Sequence, residues 1–321
     1  MADEHLPIAI YYEHPDWFRP LFSELDRRGT PYVRLDAARQ TYDPNELCSS
    51  SYGLFFNRMS ASAYLRGNGQ AIFFTRDYLA HLERSDVRVI NGAEAFSFEI
   101  SKARQLSLLH SLGIQFPRSR VINHAEQALS AEEEIGFPLI IKPNIGGRGA
   151  GIVRLNSAHE LHRAVADGTV DLGIDHTALV QEFVPAHGGH IHRVETLAGK
   201  FLYAIEVFTT GESFNLCPAE ICQIENAAAE VAMCLADGPA AGLKIEPYQP
   251  PAEIIATVER IVAVAGIDVG GVEYIIDARD GRVLFYDINT LSNFVADAPR
   301  SLGFDPHARL VDYLERERDR T

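Results

Sequence analysis

Short apolar runs alternate with amphipathic stretches from the start of the chain. Residues 7–12 (PIAIYY) form an apolar run of strand length. Residues 17–28 then place Phe18, Leu21, Phe22 and Leu25 at i, i+3, i+4 and i+7. That spacing predicts a helix burying one face, closed by Gly29, which is free to take positive φ. Residues 32–35, 53–57 and 89–91 read as further strands. Strands alternating with helices predict a parallel sheet. A helix is expected over 93–112, with Ala103, Leu106, Leu109 and Leu112 along one stripe and Gly113 as its stop. A turn at 113–117 leads into a strand near 118–122.

The middle of the chain has a different texture. Residues 137–143 (FPLIIKP) and 150–155 (AGIVRL) are apolar strands on either side of a glycine-rich loop. A helix over 157–167 opens on Ser157, with Glu160 at the capping-box position, and residues 178–184 (ALVQEFV) form the next strand. This order places the loop in an antiparallel hairpin. Residues 190–197 and 200–207 flank Ala198-Gly199, a two-residue hairpin signal. Residues 226–251 are less regular, with a short helix expected over 227–235 and loop elsewhere. Residues 252–265 predict a strong helix. Residues 272–277 and 282–288 are strands joined by Ala278-Arg279-Asp280-Gly281, and the charged end at 315–320 closes a solvent-facing helix.

Composition narrows the function. The 321 residues have room for two to three lobes of ~100–150 residues. A net charge of −15 argues against a broad nucleic-acid surface. A small nucleotide needs only one local cationic pocket. No run of ~20 apolar residues occurs, so no transmembrane helix is expected. The acidic opening MADEHLPIAIYYEHPDW lacks the cationic region of a signal peptide. Cys48, Cys217, Cys222 and Cys234 form no CxxC pair and read as free thiols of a reducing compartment. The expected location is the cytoplasm.

Two stretches carry chemistry. The first is Lys142-Pro-Asn-Ile-Gly146-Gly147-Arg148-Gly149-Ala150-Gly151, with four glycines in six residues. Such a loop costs conformational entropy and makes sense where backbone N–H groups converge on an anion. Arg148 adds a movable cation. No Lys-Ser or Lys-Thr follows the glycines, as a Walker loop requires, and the strand–loop–strand context excludes the dinucleotide fingerprint. The second stretch is Glu273 with Asp287 and Asn289. Asp287 and Asn289 are two apart on one strand and share a face, with Phe285 expected before them on the same face. Glu273 lies across the hairpin. Oxygen ligands without His or Cys suit Mg2+ carrying nucleotide phosphates. His187, His190 and His192 read as structural or solvent-facing, and no general base is assigned.

In combination these features resemble the ATP-grasp superfamily, above all the RimK-like carboxylate–amine ligases and bacterial glutathione synthetase, over roughly residues 90–300. The resemblance implies an α/β (α+β) fold. An N-terminal parallel α/β domain would span 1–98, a central lid subdomain 99–184, and a C-terminal antiparallel-sheet subdomain 185–321. Lys102, after Ser101, matches the family's first lysine on the α-phosphate side, and Lys142 the second, between adenine and phosphates. Gly146, Gly147, Arg148, Gly149 and Gly151 match the lid loop over the β- and γ-phosphates. Gln181, Glu182, Phe183 and Val184 match the hinge that pairs with adenine. Arg193 matches the arginine near the transferred phosphoryl group, and Asn215 an asparagine of the RxNxxxGG segment. Glu273, Asp287 and Asn289 match the metal ligands, and Asn57-Arg58 a substrate-side arginine. Asp287 stands where Glu is commoner, Ile191 where many relatives carry Asp, and the segment around Asn215 lacks its glycine pair.

The implied activity joins a small-molecule or peptide carboxylate to an amine using ATP and Mg2+ or Mn2+, through an acylphosphate, with Arg193, Lys142 and Arg148 as catalytic cations. The family also implies a homo-oligomer, a dimer or tetramer. A non-catalytic nucleotide-binding module, or another ATP-grasp chemistry, stays open at this point.

Overall fold

The computed structural model describes residues 6–14, 16–46, 52–147, 149–208, 244–295 and 298–320. Arg148, Asn215, the four cysteines and the expected helix at 227–235 lie outside them.

The first sheet is parallel, in the order β2-β1-β3-β4. Its strands are β1 (Ile8–Tyr12), β2 (Tyr32–Asp36), β3 (Leu54–Arg58) and β4 (Val89–Ile90). Helix α1 (Arg19–Arg28) buries Leu21, Phe22 and Leu25 on the predicted stripe, and Gly29 caps it at φ 68°. Helix α2 (Gly69–Arg84), which the sequence reading did not contain, covers the sheet with Ile72, Tyr78, Leu79 and Leu82. Where one helix was expected over 93–112 there are two, α3 (Ala93–Glu99) and α4 (Lys102–Ser111). Ser101 is extended between them, and its side chain accepts from the Arg104 N–H as an N-cap. A cap-forming serine starts a helix more readily than it continues one.

The second sheet, order β5-β8-β6-β7, is antiparallel throughout. It contains β5 (Ser119–Ile122), β6 (Leu139–Pro143), β7 (Val153–Leu155) and β8 (Ala178–Glu182), covered by α5 (Gln127–Ile135) and α6 (Ala158–Ala166). The hairpin placement of the glycine loop therefore stands, although β7 begins three residues later than expected. At α6 the Ser157 side chain accepts from the Glu160 N–H as predicted, while the Glu160 carboxylate reaches the Asn156 N–H.

The third sheet is also antiparallel, order β11-β10-β9-β12-β13. Its strands are β9 (His190–Leu197), β10 (Lys200–Phe208), β11 (Lys244–Tyr248), β12 (Val269–Ile276) and β13 (Val283–Asn289). Ala198 and Gly199 both take positive φ in the β9–β10 turn, as a two-residue hairpin requires. Strand β11 occupies part of a stretch read as loop. Helix α7 (Ala252–Val264) covers one face with Ile254, Val258, Ile261 and Val262. The other face packs on the first sheet in one core, where Ile8, Ile10, Leu54 and Phe56 meet Ile191, Tyr203, Ile205 and Leu284. The closing helices are α8 (Ala298–Leu302) and α9 (Pro306–Arg318). Helix α9 adds Leu310, Val311 and Leu314 to that core. Arg28 of α1 fastens it by donating to Asp312 and Glu315.

Candidate active site

Three adjacent strands build one row of charge. Glu273 on β12 pairs in register with Arg193 on β9 and with Asp287 on β13. The next row is Glu195, Gly271 and Asn289. Cross-strand neighbours share a face, so the three predicted metal ligands and Arg193 come together. Arg193 donates from Nε to Glu195 at 2.6 Å and from Nη1 to Glu273 at 3.2 Å. Asn289 Nδ2 and the Tyr286 hydroxyl both donate to Glu273, at 3.3 and 2.9 Å. Gly271 leaves room for this, since a Cβ there would lie 2.9–3.1 Å from the Glu195 carboxylate.

Phe285 does not share the face of Asp287. The register shifts between Glu273 and Tyr274, so that Tyr274 pairs with Phe285 while Glu273 pairs with Asp287. Tyr286 is the extra residue of a bulge, which resets the alternation. Phe285 joins Ile288 in the core under α7, while Tyr286 and Asp287 serve the site.

Two polar residues bring the lysines to this row. Gln105 on α4 donates to the Ile288 carbonyl and accepts from the Ile288 N–H, at 2.8 and 3.1 Å, completing the open edge of β13. That pins α4 to β13 and sets Lys102, its first residue, against Asp287 at 2.5 Å. Asn144, just after β6, accepts from the Ala103 N–H through its side chain and from the Lys102 N–H through its carbonyl. The N-terminus of α4 is thereby tied to the end of the strand that carries Lys142. Glu99 accepts from the Thr290 and Leu291 N–H groups and fixes the exit of β13.

The electrostatics follow from burial. Burial, then the charge of Lys102, pushes the Lys142 ammonium down to about 7. Lys102 is buried too, but Asp287 more than offsets this and holds it above its ordinary value. Burial alone would raise the Asp287 carboxyl; Lys102, Lys142 and Arg193 together hold it below. Glu273 is pushed up by burial and by Asp287. Burial works against the Arg193 guanidinium, and Glu195 and Glu273 outweigh it and hold the charge.

The glycine loop folds back close to β6. Gly149 and Gly151 take φ of 70° and 73°, and a Cβ at Gly151 would lie 2.7 Å from Pro143 Cγ. A Cβ at Gly147 would lie 3.2 Å from Ser62 Cβ, so the loop also approaches the 3-10 turn at Ala61–Arg66. In the hinge, the N–H groups of Glu182 and Phe183 are engaged by the Arg118 and Pro138 carbonyls. The Glu182 carboxylate accepts from Arg118, Gln181 donates to Ser119, and Arg154 stacks over Phe183 at 3.9 Å. Any base-edge pairing there falls to other backbone groups.

Arg58 is buried, with its guanidinium over Phe18 and Phe56 and donating to the Ser292 carbonyl. His190 and His192 alternate with Arg193 along β9, which puts them on the opposite face of the sheet. Burial pushes His192 down to about 4. Sequence reasoning assigned no role to Gln105, Asn144, Glu195 and Tyr286, although Asn144 stands inside the glycine-loop stretch and Tyr286 directly before Asp287.

The donor set fits the group that the fold implies. Two carboxylates and one amide oxygen are hard donors suited to Mg2+ or Mn2+. Two buried lysines, one with its proton loosened by burial and by the charge of the other, suit a polyanion.

Residues 100–236 match the family model of the RimK-like ATP-grasp domain. The chain is similar to the carbamoyl phosphate synthase large chain of Clavibacter michiganensis subsp. michiganensis, 27% identical over 245 residues, 74% of this chain and 20% of that protein. It is also similar to the D-alanine–D-alanine ligase of Pseudomonas putida, 34% identical over 119 residues, 37% of this chain and 36% of that one. The chain thus spans about a fifth of the length of the synthase large chains it matches. Among solved structures, the ATP-grasp ligase PsnB with a minimal precursor superposes at TM-score 0.67 and 20% identity, covering 98% of this chain and 99% of that one. A RimK domain ATP-grasp protein from Sphaerobacter thermophilus gives 0.67 at 19% identity, covering 96% and 99%. The chain thus has the fold of the ATP-grasp ligases it superposes on, and its residues 100–236 match the RimK-like ATP-grasp domain.

Proposed function

We propose that the chain is an ATP-dependent carboxylate–amine ligase that forms an amide or peptide bond through an acylphosphate, releasing ADP and phosphate. The observation that carries this reading is the meeting of Lys102 and Lys142 with the row of Arg193, Glu273, Asp287 and Asn289 that crosses β9, β12 and β13. Phosphoryl transfer asks little covalent chemistry of a protein; it asks for positioning and for positive charge where negative charge develops.

Lys102 and Lys142 bind the nucleotide phosphates, and Arg193, oriented by Glu195 and Glu273, holds the acceptor carboxylate. Glu273, Asp287 and Asn289 hold Mg2+ or Mn2+, which supplies charge neutralisation to phosphate oxygens. Gly146, Gly147, Gly149 and Gly151 close the site against water, as a hydrolysable acylphosphate requires. Arg148 and Asn215 keep the roles that the resemblance gives them. The proposed division at 1–98, 99–184 and 185–321 assigns the phosphate lysines to the middle part and the metal ligands to the last. PsnB, a ligase of the same fold, has been solved with a minimal precursor, Mg and ADP, and with the precursor peptide PsnA2 and AMPPNP. Those complexes support a nucleotide, a metal and a small-molecule or peptide carboxylate as the ligands here. A cytoplasmic homo-oligomer completes the reading; among the described residues no helix is long and apolar enough to cross a membrane.

Hydroxylamine trapping tests it. The protein is incubated with Mg-ATP and pools of amino acids or short peptides, and hydroxamate, ADP and AMP are followed together. Hydroxamate formed with ADP is the expected result and identifies the carboxylate donor. Hydroxamate formed with AMP, or no ATP binding by calorimetry, overturns the proposal.

A further inference from the structure

The sheet face away from Arg193 carries a second cluster that the ligation chemistry does not use. His190 and His192, two apart on β9, point to that face, and Glu206 on β10 is the register partner of His192. The Nε2 atoms of both histidines face the same carboxylate oxygen, at 3.6 Å from His190 and 3.5 Å from His192. One ligand atom from each of the three residues falls within 4.8 Å of the others.

The ring orientations bear on what lies between them. The Gly188 carbonyl, 3.3 Å from His190 Nδ1, can only accept, so the ring donates from Nδ1 and its Nε2 lone pair faces Glu206. A lone pair aimed at a carboxylate is relieved by a proton on Nε2 or by a metal ion bound between the two groups. A carbonyl that fixes one ring nitrogen and frees the other is also the usual support of a metal-bound histidine. The turn at His187–Gly189 makes this possible: Gly188 has φ 66°, and a Cβ there would lie 2.8 Å from the His190 ring. His192 is held by stacking on Tyr274 at 4.5 Å and 3°, with Tyr248 at 4.6 Å, and its Nδ1 is buried without a hydrogen-bond partner.

We propose that His190, His192 and Glu206 bind a divalent transition ion of the Zn2+ class, at a site separate from the nucleotide centre. Two imidazoles and a carboxylate match the ligands and the open fourth position of three-ligand zinc sites. Imidazole disfavours Mg2+ and Ca2+. Tetrahedral zinc places its ligand atoms ~3.3 Å apart, a few tenths of an ångström inside the His–Glu distances found here. An ion there would tie the start of β9 to the end of β10.

The test is titration of the full chain with Zn2+ against a chromophoric chelator in saturating Mg2+, with Co2+ absorption as a second readout. The expected result is one tight equivalent with a tetrahedral Co2+ spectrum. His190→Ala and Glu206→Gln should each weaken binding at least tenfold, with circular dichroism unchanged, and Asp287→Asn should leave it intact. No binding above a non-specific background overturns the proposal. So does binding that survives both variants, or binding lost in Asp287→Asn, which would assign the ion to the nucleotide centre.

Discussion

At the scale of single residues, Lys142 is the most exposed to test. Its ammonium, ordinarily near 10.5, is pushed down to about 7. Below pH 7 the folded and unfolded chains both carry the proton, and the cost of burying the charge is fully present. Between about 7 and 10.5 the unfolded chain keeps the proton and the folded chain has released it, so stability rises with pH across that window. Unfolding compared at pH 7 and 9 should show this rise in wild type and lose it in Lys142→Met; equal pH dependence refutes the assignment. Nucleotide phosphates restore the charged form, so ATP binding at pH 8.5 should take up a proton, read as buffer-dependent heat. Asp287→Ala should raise the Mg2+ requirement of turnover by on the order of tenfold or more, a loss of the scale seen even for outer partners of metal ligands. An unchanged metal titration removes Asp287 from the site. Lys142 and Asp287 were legible because each stands beside a patterned neighbour, the glycine loop or the Asp-x-Asn pair. Gln105 was not, since a lone amide announces nothing until its partner 183 residues away is known, and Asn144, though it stands beside the glycine loop, shows its role only through the Ala103 N–H 41 residues away.

At the scale of elements, the site depends on how β9, β12 and β13 crowd. Gly271→Ala would press a methyl group onto the buried Glu195 carboxylate that orients Arg193. Overpacking of this kind costs ~1–3 kcal/mol. The variant should fall further in kcat/KM than in stability, measured by hydroxamate formation beside a denaturant curve; parallel losses would reduce the Glu195–Arg193 contact to packing. Periodicity marked α1 through Leu21, Phe22 and Leu25 and α7 through Ile254, Val258, Ile261 and Val262, and the Ala198-Gly199 turn marked the β9–β10 hairpin. It passed over α2, whose stripe includes Thr75, a polar residue made acceptable by its bond to the Tyr11 hydroxyl. The bulge at Tyr286 had no signal either. Strict alternation therefore placed Phe285 on the wrong face, while still placing Asp287 and Asn289 together.

At the scale of the whole molecule, Asn91 joins the first sheet to the third. Fully buried at φ 52°, it donates to the Val269 and Thr290 carbonyls and accepts from the Asp268 and Val269 N–H groups. Asn91→Ala leaves several of these groups unpaired, each worth ~1–3 kcal/mol. A loss of about 3 kcal/mol or more is expected, read as a lower urea midpoint at unchanged slope. An unshifted midpoint would show the joint to be dispensable. The order of the sheets was readable from the chain, but their fusion was not: the core that unites them draws Ile10 and Leu314 together from opposite ends of the sequence. That shared core has a consequence for exchange between relatives. The first hundred residues cannot be swapped as a module, because their inner surface is moulded to Tyr203, Leu284 and α9. A hybrid must import those facing side chains along with the donor segment, or it will expose apolar surface and aggregate instead of gaining a new specificity.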